Sequence, residues 1–147
     1  MLGMFSAMAS WSEFEAAEPA FAARAKKMLA RRKHLTMATL RRDGSPRISG
    51  TEVQFAEGEL QVGSMPDALK AADLRRDARV AIHGPAQDPA KGGRWAGEAK
   101  VAGLAVELER DRFRIDISEV VITSLGGRGL LIESWKPDRG YRRMDRE

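Results

Sequence analysis

The chain has 147 residues, 43% hydrophobic and 31% charged, with a formal net charge of +4, a composition that describes one globular domain with one core and excludes a disordered chain. Cysteine is absent, which excludes a disulfide framework, a thiolate nucleophile and a cysteine–zinc site and fits a reducing, cytoplasmic setting. The positive excess lies in RAKKMLARRK (residues 24–33) and RGYRRMDR (residues 139–146); lacking interleaved aromatics that stack on bases, it reads as a solvated helix face and a charged tail, and no nucleic-acid partner is expected.

Residues 1–11 open on MLGMFSAMAS, an apolar stretch without a basic n-region and too short to span a bilayer. It reads as a loose leader, with no membrane partner expected. Ser12-Glu13-Phe14-Glu15 matches the capping box S-x-x-E and predicts a helix start. Pro19 breaks that helix but suits the first turn of a second. There Phe21, Ala25, Met28 and Leu29 share one face, opposite Arg24, Lys27, Arg31 and Arg32.

Strands follow. Residues 35–40 form a short apolar run closed by the turn Arg42-Asp43-Gly44-Ser45. Residues 46–55 return, with Arg47, Ser49, Thr51 and Val53 on one face and Ile48, Gly50, Glu52 and Gln54 on the other. Another turn, at 56–59, leads into Leu60, Val62 and Ser64, which alternate as in a half-buried strand. Ser64 stands two residues before Pro66, which suits an N-cap followed by proline in the first helical turn. Leu69, Ala72 and Leu74, with Lys70 and Arg75, then read as a short amphipathic helix.

Residues 79–83 (RVAIH) form a strand, and 85–94 (PAQDPAKGGR) form a loop. Residues 95–108, 112–125 and 130–135 are strands separated by Glu109-Arg110-Asp111 and by Gly126-Gly127-Arg128-Gly129. Six to seven mostly antiparallel strands, with a helix pair at the start and one short mid-chain helix, predict a mainly β (α+β) small closed barrel.

The common catalytic motifs G-x-S-x-G, H-E-x-x-H and G-x-x-x-x-G-K-[ST] are absent. The two histidines, His34 and His83, have no third ligand spaced near either, so no metal is expected. Asp116 and Glu119, in alternating strand, read as solvent-facing. Trp95 and Trp135 each stand beside a strand end, where an aromatic either plugs a barrel end or stacks on a flat ligand. Ser64 and Lys70 flank a helix start whose N–H groups and dipole attract phosphate. An ordinary strand–helix junction is the other reading of the same residues.

The order HLTMATLRRDGSPRISGTEVQF, ELQVGSMPDALKAADLRRDARVAIH, RWAGEAKVAGLAVEL and RFRIDISEVVITSL resembles the pyridoxamine 5′-phosphate oxidase-like superfamily of flavin-binding split barrels, across residues 34–141. Its signals are ATLR-x-DGSPR followed by S-x5-K-x3-L-x3-(P/A)-R-V. The resemblance implies a split-barrel cofactor-binding domain at 12–141 followed by a basic tail at 142–147. It also implies a homodimer with two sites at its interface, each holding flavin mononucleotide (FMN) or the deazaflavin coenzyme F(420). Arg47, Ser49 and Thr51 would line the ring system, Ser64 and Lys70 would hold phosphate, and Trp135 and Arg139 would reach the cofactor of the partner subunit.

The implied function is an oxidoreductase passing a hydride between that cofactor and a small organic acceptor. The ring carries the hydride, so no catalytic side chain is named. Two departures narrow the reading. Ala68 and Leu69 stand where flavin-binding members often carry Ser-Arg, and Arg142-Arg143-Met144 does not match the Arg-x-His of a true pyridoxamine phosphate oxidase. The missing guanidinium favours the singly charged phosphodiester of the deazaflavin over a phosphomonoester. The alternatives are a split barrel that binds a cofactor or small molecule without turnover, and a basic nucleic-acid-binding protein.

Overall fold

A computed structural model describes residues 7–85 and 87–147. Two helices lead, α1 (Trp11–Ala17) and α2 (Pro19–Leu29). Strands β1 (Leu35–Leu40), β2 (Pro46–Thr51), β3 (Val53–Ala56) and β4 (Glu59–Gly63) precede helix α3 (Leu69–Arg76). Then come β5 (Arg79–His83), β6 (Glu98–Glu109), β7 (Arg112–Leu125), β8 (Leu130–Lys136) and β9 (Gly140–Arg146). All pair antiparallel in one sheet ordered β2-β1-β5-β6-β7-β4-β3, with β8 and β9 continuing from β7.

Among the described residues the strand count is nine, not six or seven, for two reasons. The run 46–55 breaks at Glu52: β2 pairs with β1, whereas β3 leaves that partner for β4. That break opens the barrel. Residues 142–146, expected as a tail, instead pair with β8, where Arg143 and Met144 oppose Glu133 and Ile132. Strand β7 holds the closure together, because its first residues pair with β4 and its last with β8. At the β6–β7 bulge between Ala102 and Gly103, a Cβ on Gly103 would collide with the Asp116 carbonyl oxygen. The bend therefore requires glycine.

Alternation puts Leu35 and Met37, Leu60 and Val62, Val80 and Ile82, and Phe113, Ile115 and Ile117 inside. Each such side chain stabilises the fold by about 1.5–3 kcal/mol. The helices close the end of this core. Trp11 meets Phe14 edge-on at 5.1 Å, and Phe14 lies against Trp135 at 4.7 Å.

The helix start falls earlier than expected. Ser10, not Ser12, is the N-cap, and Ser10 and Glu13 exchange the two capping-box hydrogen bonds at 3.1 and 2.9 Å. The earlier register buries Trp11, which a cap at Ser12 would leave outside the helix. Ala9 in turn exchanges backbone hydrogen bonds with Ile117. Residues 9–11 are therefore part of the packed body rather than a leader, and residues 1–6 of that segment lie outside the described residues. Arg24 of α2 reaches Glu133 of β8 with two hydrogen bonds of 2.8 Å, and Tyr141 of β9 donates to the same carboxylate at 2.6 Å. Among the described residues no helix is long and apolar enough to cross a membrane.

Candidate functional site

The break at Glu52 lays a cleft of about 710 Å³ between the end of β2, strands β3 and β4, the β4–α3 connection and the start of β7. Thr51, Ser64 and Lys70 line it, together with Gly50, Gly63, Gln54, Gln61, Arg112 and His34. Of the residues named from sequence, the fold brings these three together.

Ser64 is not a helix cap. The chain passes Pro66 and turns at Asp67 with φ +62°, a conformation no helix contains, so α3 starts only at Leu69 behind Ala68. Ser64 N–H donates instead to the Asp111 carbonyl at 2.8 Å. Its Oγ is buried and has no hydrogen-bond partner among the described residues. A buried hydroxyl without a partner costs about 1–3 kcal/mol, a cost that a water or a ligand atom bonded to it would relieve. Ala68 gives α3 no side-chain cap, which leaves its first-turn N–H groups to solvent or ligand. Lys70 sits in that turn and donates to the Gly50 carbonyl at 2.8 Å.

Gly50 and Gly63 make the cleft floor bare. Neither has positive φ; a Cβ on Gly50 would meet no described atom within 4 Å, and one on Gly63 only the Asp111 carbonyl at 3.9 Å. Neither backbone strain nor crowding demands glycine there, and glycine in a strand costs about 0.5–1 kcal/mol relative to alanine. Open space above two strand glycines suits a flat ligand lying on backbone. Periodicity could not single them out, because most strand glycines mark bulges, as Gly103 does.

Opposite Gly63, Arg112 of β7 also lines the cleft. Its Nη1 donates to Gln54 Oε1 at 3.0 Å and to Gln61 Oε1 at 3.4 Å. The turn that delivers it is fixed by Arg75, whose guanidinium holds both Glu107 and Asp111. Arg75 and the Asp111 N–H pull the Glu107 carboxyl down to about 2. On the far rim, His34 Nδ1 faces Glu52 Oε1 at 3.8 Å.

The other named residues lie elsewhere. Arg47 lines a neighbouring cavity with Arg41, Arg42, Leu69 and Arg76. Its Nε donates to Asp73 Oδ2 at 2.7 Å. Burial raises the Asp73 carboxyl, but the donors Arg47, Thr39 and Arg76 outweigh it and hold the group below its ordinary value. Ser49 is half-buried on the strand between Arg47 and Thr51 and does not line the cleft. Trp135 does not line the cleft: at 4% exposure it is a core residue packed on Phe14, where it plugs the barrel. Arg139 sits in the β8–β9 turn, donates to Ser134 Oγ at 2.7 Å, and does not line the cleft. Among the described residues no three metal-ligating side chains converge.

No family model matches this chain, and no curated protein does. Solved structures do. A heme binding protein from Mycobacterium smegmatis superposes with TM-score 0.64 at 18% identity, covering 78% of this chain and 57% of its own. The chain thus spans little more than half of that protein's length. PhzG from Burkholderia lata 383, solved with tetrahydrophenazine-1-carboxylic acid, gives TM-score 0.63 at 11% identity and coverage of 92% and 95%. A pyridoxamine 5′-phosphate oxidase-related, FMN binding protein from Nostoc punctiforme gives 0.61 at 11%, covering 88% and 96%. Identities this low speak to fold. The chain shares the fold of these proteins.

Proposed function

We propose that the cleft binds a flavin-type cofactor, FMN or coenzyme F(420), and that the protein is an oxidoreductase passing a hydride between it and a small organic acceptor. One observation carries this reading. Two strand glycines leave a bare floor that ends at an unpartnered buried hydroxyl, Ser64, and an amine, Lys70. That is the shape and polarity of a flat ring system with a phosphate at one end. The FMN binding neighbour from Nostoc punctiforme supports the class.

When bound, such a cofactor supplies the hydride chemistry. The chain's own residues position and shield. Lys70, now on the Gly50 carbonyl, and the Ser64 hydroxyl would hold the cofactor's phosphate, with the α3 N–H groups adding their dipoles. Shielding calls for a second copy, because the cleft is open and Ile48, Met65 and Leu69 are exposed. We assign the protein as a homodimer that covers each cleft with the opposite subunit, and place it in the cytoplasm.

The test is the absorbance of purified protein, followed by titration with FMN and with coenzyme F(420) at matched ionic strength. Saturable binding of either, with reoxidation of the reduced form by added acceptor, is the expected result. Binding without reoxidation would make the chain a carrier. No binding of either would overturn the reading.

A second reading has one observation behind it. His34 lines the same cleft, and an imidazole beside a basic, flat-floored cleft is what heme iron and propionates require. The heme binding neighbour has this fold. A Soret band that forms on adding hemin and disappears in His34→Ala would establish it.

A further inference from the structure

We infer that Arg112 is a phosphate-holding residue of the cleft, which it lines together with Lys70. This rests on the flavin-type reading and deepens it.

The nearby arginines are spent on carboxylates. Arg75 holds Glu107 and Asp111, Arg47 and Arg76 share Asp73, and Arg114 faces Asp116. Arg112 differs. Its short contacts are the neutral amide oxygens of Gln54 and Gln61, and its carboxylate neighbour, Glu109, stands 3.8 Å away and is itself 78% exposed. Amide oxygens orient a guanidinium without neutralising it, so its charge is available to a ligand anion.

Its place is set by register. Arg112 opposes Gly63 across the β4–β7 ladder, and the preceding residue, Asp111, accepts the Ser64 N–H. The side chain therefore lines the same cleft as the unpartnered Ser64 hydroxyl. Leu69 lines the neighbouring cavity instead. With Arg112 counted, the cleft carries two cations, Arg112 and Lys70. That matches a phosphomonoester dianion and removes the electrostatic ground for preferring the phosphodiester of the deazaflavin.

The experiment compares FMN with riboflavin, which lacks the phosphate, by fluorescence titration of the full chain. Arg112→Gln should weaken FMN about tenfold or more, the range for one hydrogen bond to a charged group, while riboflavin affinity stays within about twofold. Arg112→Lys, which keeps the charge but not the planar fork, should fall between. A thermal melt checks that each variant is folded; if the glutamine variant is not, the lysine variant decides alone. Equal loss for both ligands, or no loss for either, overturns the role of Arg112 and leaves the flavin reading standing. A wild-type protein that binds neither of these ligands nor coenzyme F(420) overturns both.

Discussion

Lys70 Nζ donates to the Gly50 carbonyl oxygen at 2.8 Å, joining the first turn of α3 to the end of β2 across the cleft. The contact holds the amine over the bare floor, at the spot an incoming anion would take from the carbonyl. Removing this side chain separates binding from folding. Lys70→Ala should weaken FMN by about 1.5–3 kcal/mol, the range for a hydrogen bond to a charged group. The exposed contact to Gly50 contributes little, so unfolding stability should fall by no more than about 1 kcal/mol. Titration and urea denaturation on one preparation measure both; unchanged FMN affinity would place the phosphate elsewhere.

Gly50→Val should give the opposite pattern. A β-branched side chain suits the strand, and its Cβ meets nothing nearby, so stability should hold or rise by about 0.5–1 kcal/mol. Its bulk covers the floor, and cofactor binding should fall by an order of magnitude or more. A valine variant that binds as the wild type would show that the glycine is not there for a ligand.

Arg47→Ala should act on the fold. Its partner Asp73 is 3% exposed and loses one of three donors. The expected cost is about 1.5–3 kcal/mol of stability, with FMN affinity within about threefold of wild type. A larger loss of affinity than of stability would return Arg47 to the cofactor site.

Acid should loosen the contact of α2 with β8. The Arg24 guanidinium holds the Glu133 carboxyl below its ordinary value of 4.5; burial works the other way, and the Tyr141 hydroxyl adds to the lowering. A carboxyl lowered in the folded state contributes stability above its unfolded pKa and loses it as pH falls through the folded value. Glu133→Gln should therefore cost stability near neutral pH and lose less than wild type on acidification below 4.5. Because Arg24 is half exposed, the neutral-pH cost should be about 1–3 kcal/mol, below that of a fully buried pair. Parallel pH dependence in the two proteins would remove Glu133 as the sensor.

Ile48 is 75% exposed on edge strand β2. Ile48→Glu should turn the proposed dimer into a monomer in sedimentation velocity, with the fold's own stability changed by no more than about 0.5 kcal/mol. Wild-type protein that sediments as a monomer with cofactor present would reject the dimer.

Local chemistry determined a good part of this protein. Alternation from Leu35 to Leu40 and from Arg112 onward marked strands, Pro19 marked a second helix, and the spacing of Ser64 and Lys70 marked two residues of one cleft. Such signals are written in neighbours along the chain, where side-chain period and φ preference act directly. What the chain order alone left open depended on distant partners. Only the pairing of β3 with β4 rather than β1 reveals the break at Glu52. Only burial against Phe14 tells a plugging Trp135 from a stacking one, and only the Asp73 carboxylate takes Arg47 away from the cleft. Arg112 enters the site because the β4–β7 register sets it opposite Gly63, nearly fifty residues earlier. Register is settled by packing of the whole barrel, since a slip of one residue would turn Phe113, Ile115 and Ile117 out of the core.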